Sequence, residues 1–417
     1  MTLFEVGHAC GASEHTGGAA GPSANRTFPS IFMAWSDGSD SDGPDNDHSS
    51  LARMARHDLL ILSPQQMGLG RIDRGEALAP AAVDRALAKR RELARLNPNA
   101  VVLAEVRYYD AWQDYLPPDS PLWRRDKSGE PVISGGLIYG ARQVYLLDFS
   151  KPELRDSVAA QCKAYVETGV FDGCMFDWWN GAYSDTPGAE GTDRLKMIQM
   201  VRAAVGDKAL LIGNVNGSLP KMTASYLNGV YMEGFGSKGF ADWRQAVANL
   251  VWLEAHLRAP AVTALEGWYD CGDCSGDPAT IEARGRGHLA LMREVTTLSL
   301  TNSDGYVLFG DPDALPTLDH LHSWYSFWDK TLGRPVGPKG VRSQDGSYRR
   351  AFGNGCVVFN PPDNRPVTIT FPVPHRSQAS GIVASSFSVD GGDGDIFLLN
   401  ESRGGGGPLA PDSDACP

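Results

Sequence analysis

Eight short apolar runs recur between residues 30 and 309, and helical patterns separate most of them. The runs are Ser30–Trp35, Leu59–Ser63, Val101–Arg107, Gly173–Asp177, Ala209–Asn214, Gly229–Glu233, Ala261–Glu266 and Gly305–Phe309. Between them, Ala81–Leu96 repeats apolar residues at three-and-four spacing behind Pro80, a residue suited to the first turn of a helix. Lys151–Glu167 follows Ser150, an N-cap type, and Thr192–Val205, Ala241–His256 and Ala279–Leu300 read the same way. Buried strands alternating with helices over this length predict an α/β chain folded as a (β/α)8 TIM barrel. The structural rival is an open doubly wound sheet, but no Gly-rich phosphate loop follows the first strand.

After residue 335 the pattern changes. Arg349–Asn360, Pro366–Pro372 and Asp395–Leu399 read as short strands between Gly, Asn and Pro turns, which predicts a small C-terminal antiparallel β-domain. The expected organisation is a disordered segment over 1–28, a barrel over 29–335, a β-domain over 336–399 and a flexible tail over 400–417, with a polar loop at 37–50. The formal charge of −12 argues against nucleic acid or an anionic membrane surface as the main partner. No apolar run approaches the roughly 20 residues that cross a bilayer, and the first 28 residues lack the apolar core of a signal peptide. A soluble protein is expected; its compartment and oligomeric state are left open. The seven cysteines are scattered, and no disulfide framework is expected. Cys162, Cys174 and Cys356 lie in apolar contexts and read as buried thiols. Cys271 and Cys274 read as a local loop disulfide, since a zinc knuckle needs a second ligand pair.

In a barrel of this kind, chemistry sits where strands end at the C-terminal face. Acids and aromatics recur there. The first strand ends in Trp35, the third in Glu105-Val-Arg107-Tyr108-Tyr109-Asp110 and the fourth in Asp177-Trp178-Trp179. The fifth ends in Asn214-Val-Asn216, the sixth in Tyr231-Met-Glu233, the seventh in Glu266-Gly-Trp268 and the eighth in Asp311. Singly, each acid has a plain structural reading. Asp177 could be a turn or N-cap residue, Glu233 a solvated loop residue, Glu266 the partner of Arg107, and both Trp178 and Trp179 core. Together, three acids closing three strands beside indoles suit glycoside hydrolysis, which uses one carboxyl at the anomeric carbon and another on the leaving oxygen. Trp35, Tyr108, Tyr109, Trp178, Trp179, Tyr231 and Trp268 supply candidate faces for sugar rings. Glu105, Arg107, Asn214 and Asn216 supply polar contacts.

The stretches RQVYLLDFSKPELRD (142–156), VFDGCMFDWW (170–179), GNVNGS (213–218), GVYMEGF (229–235) and TALEGW (263–268) resemble the glycoside-hydrolase-like (β/α)8 families. RPVGP (334–338) and RRAFGNGCVVFNP (349–361) resemble the β-domain that such enzymes often carry. The likeness spans about residues 29–399, and its most specific element is the DGxxxDWW-type stretch. It implies an O-glycosyl hydrolase acting on an oligo- or polysaccharide without a cofactor, with Asp177 as nucleophile of a retaining mechanism. Related clans place the acid/base on the fifth or sixth strand; the fifth ends here in Asn214, which points to Glu233. Glu266 stands as the alternative acid/base or a ligand of sugar hydroxyls. A different clan would pair Asp177 with Glu266, but its fourth strand ends in Asn-Glu, not Phe-Asp.

Three other classes were weighed. A metal-dependent hydrolase needs clustered ligands, whereas the nine histidines are scattered and none ends a core strand. A serine triad would need a GxSxG elbow, which does not occur. A catalytically inactive carbohydrate-binding barrel would keep the aromatics and use the acids only to hold hydroxyls.

Overall fold

The computed structural model describes residues 26–35, 50–70, 72, 77–139, 142–180, 189–237, 240–269, 283–310, 320–329, 331–400 and 416–417. Asp311, the Cys271–Cys274 pair, most of the 37–50 loop and most of the two terminal segments lie outside the described residues.

The first strand, β1 (Phe32–Ala34), is followed by α1 (Ser50–Met54), β2 (Leu59–Leu62), α2 (Pro80–Leu96) and β3 (Val101–Glu105). An excursion through β4 (Asp110–Trp112), β5 (Ile133–Tyr139) and β6 (Arg142–Leu146) leads to α3 (Pro152–Glu167), β7 (Gly173–Phe176) and α4 (Ala189–Val205). Then come β8 (Leu210–Asn214), β9 (Gly229–Phe235), α5 (Trp243–His256), β10 (Val262–Trp268), α6 (Leu289–Asn302) and β11 (Tyr306–Gly310). Eight parallel strands form one sheet in the order β1-β2-β3-β7-β8-β9-β10-β11. A parallel bridge from Ile31 to Val307 joins its two edges, so the sheet is a (β/α)8 barrel. The strands are mostly apolar because both faces are covered: Leu59–Leu62 and Val101–Glu105 are buried at every position.

Most helices start where the sequence places them. Pro80 and Pro152 open α2 and α3. Asp242 caps α5 by accepting from the Arg244 backbone N–H at 2.9 Å. Two details differ. Lys151, not Ser150, is the N-cap of α3, because the Ser150 hydroxyl is turned to Asp148 Oδ1. The helix expected over Ala279–Leu300 is interrupted: residues 283–285 are helical, a turn follows through Arg286 and Gly287, and the last helix runs from Leu289.

The sheet β4-β6-β5 between the third and fourth barrel strands was not foreseen. It folds Asp110 back over the end of β3. The C-terminal β-domain comprises β12 (Tyr348–Phe352), β13 (Gly355–Asn360), β14 (Val367–Ser377), β15 (Val383–Val389) and β16 (Asp393–Leu399) in the order β12-β13-β16-β14-β15. Phe352, Val357, Phe359 and Ile396 join the same core as the barrel strands, so this sheet packs on the barrel through α6.

The cysteine expectation is corrected. Cys162 on α3 is bonded to Cys174 on β7, with Cα atoms 6.0 Å apart, and Cys356 is bonded to Cys416. An apolar neighbourhood suits a thiol and a disulfide equally, and only the packing of α3 on β7 brings the first pair together. Among the described residues no helix is long and apolar enough to cross a membrane.

Candidate active site

Asp177 leaves the end of β7, Asn214 closes β8 and Glu233 lies within the last turn of β9, on three neighbouring strands. The Asn214 side chain ties them together. Its Oδ1 accepts the Asn216 backbone N–H at 3.2 Å, which turns the NH2 group the other way. That nitrogen donates to Asp177 Oδ1 at 2.9 Å and also to Glu233 Oε2. One amide therefore spends one hydrogen on each carboxyl. Two hydrogen bonds of about 3 Å from one atom hold the two oxygens within about 6 Å of each other.

The electrostatics raise both acids. Burial, with the charges of Glu105 and Asp110, pushes the Asp177 carboxyl up to about 7, against the pull of Arg107 and Asn214. Burial pushes Glu233 higher, to about 8; His320 opposes this, and the charges of Asp177 and Glu266 add to it. Asp177 also accepts the Trp178 backbone N–H at 2.8 Å, and the guanidinium of Arg107 favours its ionised form. Arg107 itself pairs with Glu105 at 3.2 Å and Asp110 at 3.5 Å, so the alternative partnership with Glu266 is not formed. Asp110 is further held by the Ser134 hydroxyl at 2.6 Å, a contact supplied by the unforeseen sheet.

Glu266 is set apart. It is fully buried, receives the Tyr231 hydroxyl, and faces His320 Nδ1 at 3.0 Å. Any side chain at Gly310 would collide with its Oε1. Tyr231, Tyr108 and Trp179, read from the sequence as sugar platforms, are likewise interior. The Tyr108 hydroxyl donates to the Trp178 carbonyl at 2.9 Å, and the Trp179 indole donates to Thr223 at 3.0 Å. Trp178 points the opposite way, half-buried, with Tyr109 stacked on it at 5.5 Å. β7 has ended at Phe176, and the left-handed turn at Trp178 (φ 56°) leaves one indole inward and one outward.

A cavity of about 480 Å³ opens beside Glu233. Trp178 and Trp268 are among its walls, and Asn180, Asn216 and Gln245 bring carboxamides to it. Among the described residues, Glu233 is its only charged lining group. Trp35 stands on the other side, stacked on His320 at 5.0 Å.

Two residues of the site were missed in the sequence. His320 follows no strand or helix pattern. Arg194, fully buried in α4, gives its Nε to the Tyr108 hydroxyl at 2.9 Å and its Nη2 to the Trp178 carbonyl at 3.2 Å. The backbone carries a further mark: among the described residues, Trp35, Trp178, Asn216 and His320 are the non-glycine residues with positive φ (47° to 56°), and all four border this site. Such conformations cost on the order of 1–3 kcal/mol and cluster at functional sites. Among the described residues, no group of three or more His, Cys, Asp or Glu is placed to hold a metal ion.

No family model matches the chain, and no curated protein matches it. Solved structures do resemble it. A noncanonic maltogenic alpha-amylase from Thermotoga neapolitana aligns at 15% identity and a TM-score of 0.51, over 90% of this chain and 100% of that one. An alpha-amylase from Malbranchea cinnamomea aligns at 13% identity and a TM-score of 0.50, over 88% of this chain and 96% of that one. At these identities the likeness concerns the fold.

Proposed function

We propose that the chain is an O-glycosyl hydrolase that cleaves an oligo- or polysaccharide by double displacement, with Asp177 as nucleophile and Glu233 as acid/base. The observation that carries this is the shared Asn214 amide. Carboxyls about 5–5.5 Å apart act by retention, whereas inversion needs about 6.5–9.5 Å to admit a water. A pair of oxygens tied to one nitrogen supports the shorter class. The amylase likeness of the fold agrees with this reading.

The roles follow from the environments. In the first step an Asp177 oxygen attacks the anomeric carbon while Glu233 gives its proton to the departing oxygen. In the second step Glu233 takes a proton from water, which attacks the same carbon and releases Asp177. Burial raises both carboxyls, so a protonated Glu233 is available near neutral pH to act as the acid. The cavity walled by Trp178 and Trp268 lies on the Glu233 side and so receives the leaving group. Its carboxamides suit neutral hydroxyls. Tyr108, Trp179 and Tyr231 support the site from behind, and Glu266 acts through Tyr231 and His320 without touching the sugar.

The test is a screen against a broad glycan panel, with the anomer of the first product followed by NMR. The expected product retains configuration, and kcat/KM rises with a limb near 7 as Asp177 ionises and falls near 8 as Glu233 loses its proton. Glu233→Gln should lose roughly 10²–10⁴-fold in kcat on poor leaving groups. Turnover that survives both Asp177→Ala and Glu233→Ala sinks the proposal. Glycan binding without turnover in the unaltered protein, kept in Asp177→Ala, identifies a binding barrel instead.

A further inference from the structure

Two buried histidines meet behind the candidate site. His57 lies in the turn before β2, and His322 lies in the segment that carries His320; each is at least nine-tenths buried. Their Nε2 atoms are 2.9 Å apart, with the rings perpendicular. His57 Nδ1 is 3.0 Å from the Arg53 carbonyl, and His322 Nδ1 is 3.1 Å from the His320 carbonyl.

A proton count follows. Carbonyl oxygens only accept, so each Nδ1 carries a hydrogen. Two bare ring nitrogens do not approach to 2.9 Å with lone pairs opposed, so one hydrogen lies between the Nε2 atoms. That makes three ring protons on two rings, one more than two neutral imidazoles hold. The pair therefore carries a single positive charge. Among the described residues, the ionisable groups near it include Arg53 of α1 and Arg56 just after it, Asp58 before β2, His320 in the same segment, and Arg286, which donates to the hydroxyl of Ser323 beside His322 at 3.2 Å. Asp58 is buried and accepts the Asn97 amide at 3.0 Å. Trp324 packs edge-on against His57 at 5.7 Å, and the Arg56 guanidinium lies over that indole at 5.6 Å.

The far end of this chain of contacts is the site. The carbonyl that His322 grips belongs to His320, whose backbone is left-handed at φ 56°. The His320 ring reaches Glu266 and, at 3.0 Å, the Tyr231 hydroxyl, and it stacks on Trp35. We propose that His57 and His322 form a singly charged, three-proton histidine pair that acts as a positioning device, holding the strained segment that seats His320 in the site. When the third proton leaves, one of the three contacts must break; loss of the Nε2 contact, or of the contact to the His320 carbonyl, frees the segment that seats His320. The proton count is independent of the reaction; its effect on turnover rests on the glycosidase reading.

The experiment is ring-nitrogen NMR on the full chain labelled with ¹⁵N-histidine, recorded as a function of pH. In the singly charged form, both Nδ1 nitrogens should read as protonated, and a slowly exchanging N–H proton should be shared by the two Nε2 nitrogens. On raising the pH the pair should lose one proton in a single step, and the His320 ring signals should move with that step. A side-chain amide can donate to the facing Nε2 without any charge, so His57→Gln and His322→Gln should each remove the shared proton and the step in His320. Rings that titrate independently, or an unprotonated Nδ1 throughout, overturn the proton count; the unaltered protein suffices for that reading even if a variant fails to fold. A His320 ring that titrates in His322→Gln as in the unaltered protein overturns the positioning role. In the pH profile of kcat/KM, His322→Gln should lose the inflection due to the pair. A chain with no glycosidase activity leaves the nitrogen spectra as the deciding result.

Discussion

At position 214 the side chain must donate twice on one face and accept once on the other, which an amide does and a carboxylate does not. Its oxygen is committed to the Asn216 N–H, and its NH2 is divided between Asp177 and Glu233. Both carboxyls are lowered by this contact. Asn214→Ala should therefore move both limbs of the kcat/KM profile to higher pH. It should also cost on the order of 10- to 100-fold at the optimum, the worth of a hydrogen bond to a charged group. Asn214→Asp should be worse, because it replaces the donor with a third carboxyl. A profile whose limbs stay in place in Asn214→Ala would mean that the amide merely lies near the acids. Asn214 was legible in the sequence as a strand-end polar residue, but not as the tie between the acids. Which atoms of an amide face which neighbours depends on the strand register, here β8 beside β7 and β9.

The elements deliver these side chains by making room for one another. Gly213, one residue before Asn214 on β8, lies against Trp179. A methyl group there would sit 2.7 Å from Trp179 Cγ. Trp179 follows Asp177 by two residues, and Tyr108 and Phe176 pack on its ring. Gly213→Ala should destabilise the fold by about 1–3 kcal/mol, as overpacking of a filled core does. The measurement is urea unfolding, with a lower midpoint at an unchanged slope. Because the displaced indole belongs to the turn that aims Asp177, kcat should fall as well. The barrel strands were legible because strands buried on both faces are continuous apolar runs, and the acids because they stop those runs. The sheet β4-β6-β5 was not, since its segments mix Ser, Gly, Gln and Tyr with no long apolar run. Nor was β15, a half-exposed edge strand written VASSFSV. His320 meets Glu266 across 54 residues with no periodic element to announce it, and Arg194 reads in sequence like any cation on a solvated helix face. Long-range contacts of single polar residues leave no local pattern.

At the scale of the molecule, the barrel and the β-domain meet along α6, and the contact there is acidic as well as apolar. Arg293 holds Asp393 of β16 through two hydrogen bonds of 2.8 and 2.6 Å. Its neighbour Glu294 is buried and faces the same aspartate; burial first, and then the charge of Asp393, raise its carboxyl to about 7. A carboxyl raised on folding binds more protons in the native state than in the unfolded one, so stability falls as pH rises through that interval. The contribution is fully present below the unfolded value of 4.5 and is lost as pH passes about 7. An interval of that width corresponds to at most about 3 kcal/mol. Asp177 and Glu233 slope the same way, so the unaltered protein alone does not isolate Glu294. The difference between it and Glu294→Gln does. In denaturant unfolding at fixed ionic strength, the two should converge toward pH 5 and diverge by pH 8, with the glutamine variant the more stable. Curves that stay parallel from pH 5 to pH 8 would show that Glu294 ionises as freely in the folded chain as in the unfolded one. The seam between barrel and β-domain would then carry no pH dependence of its own.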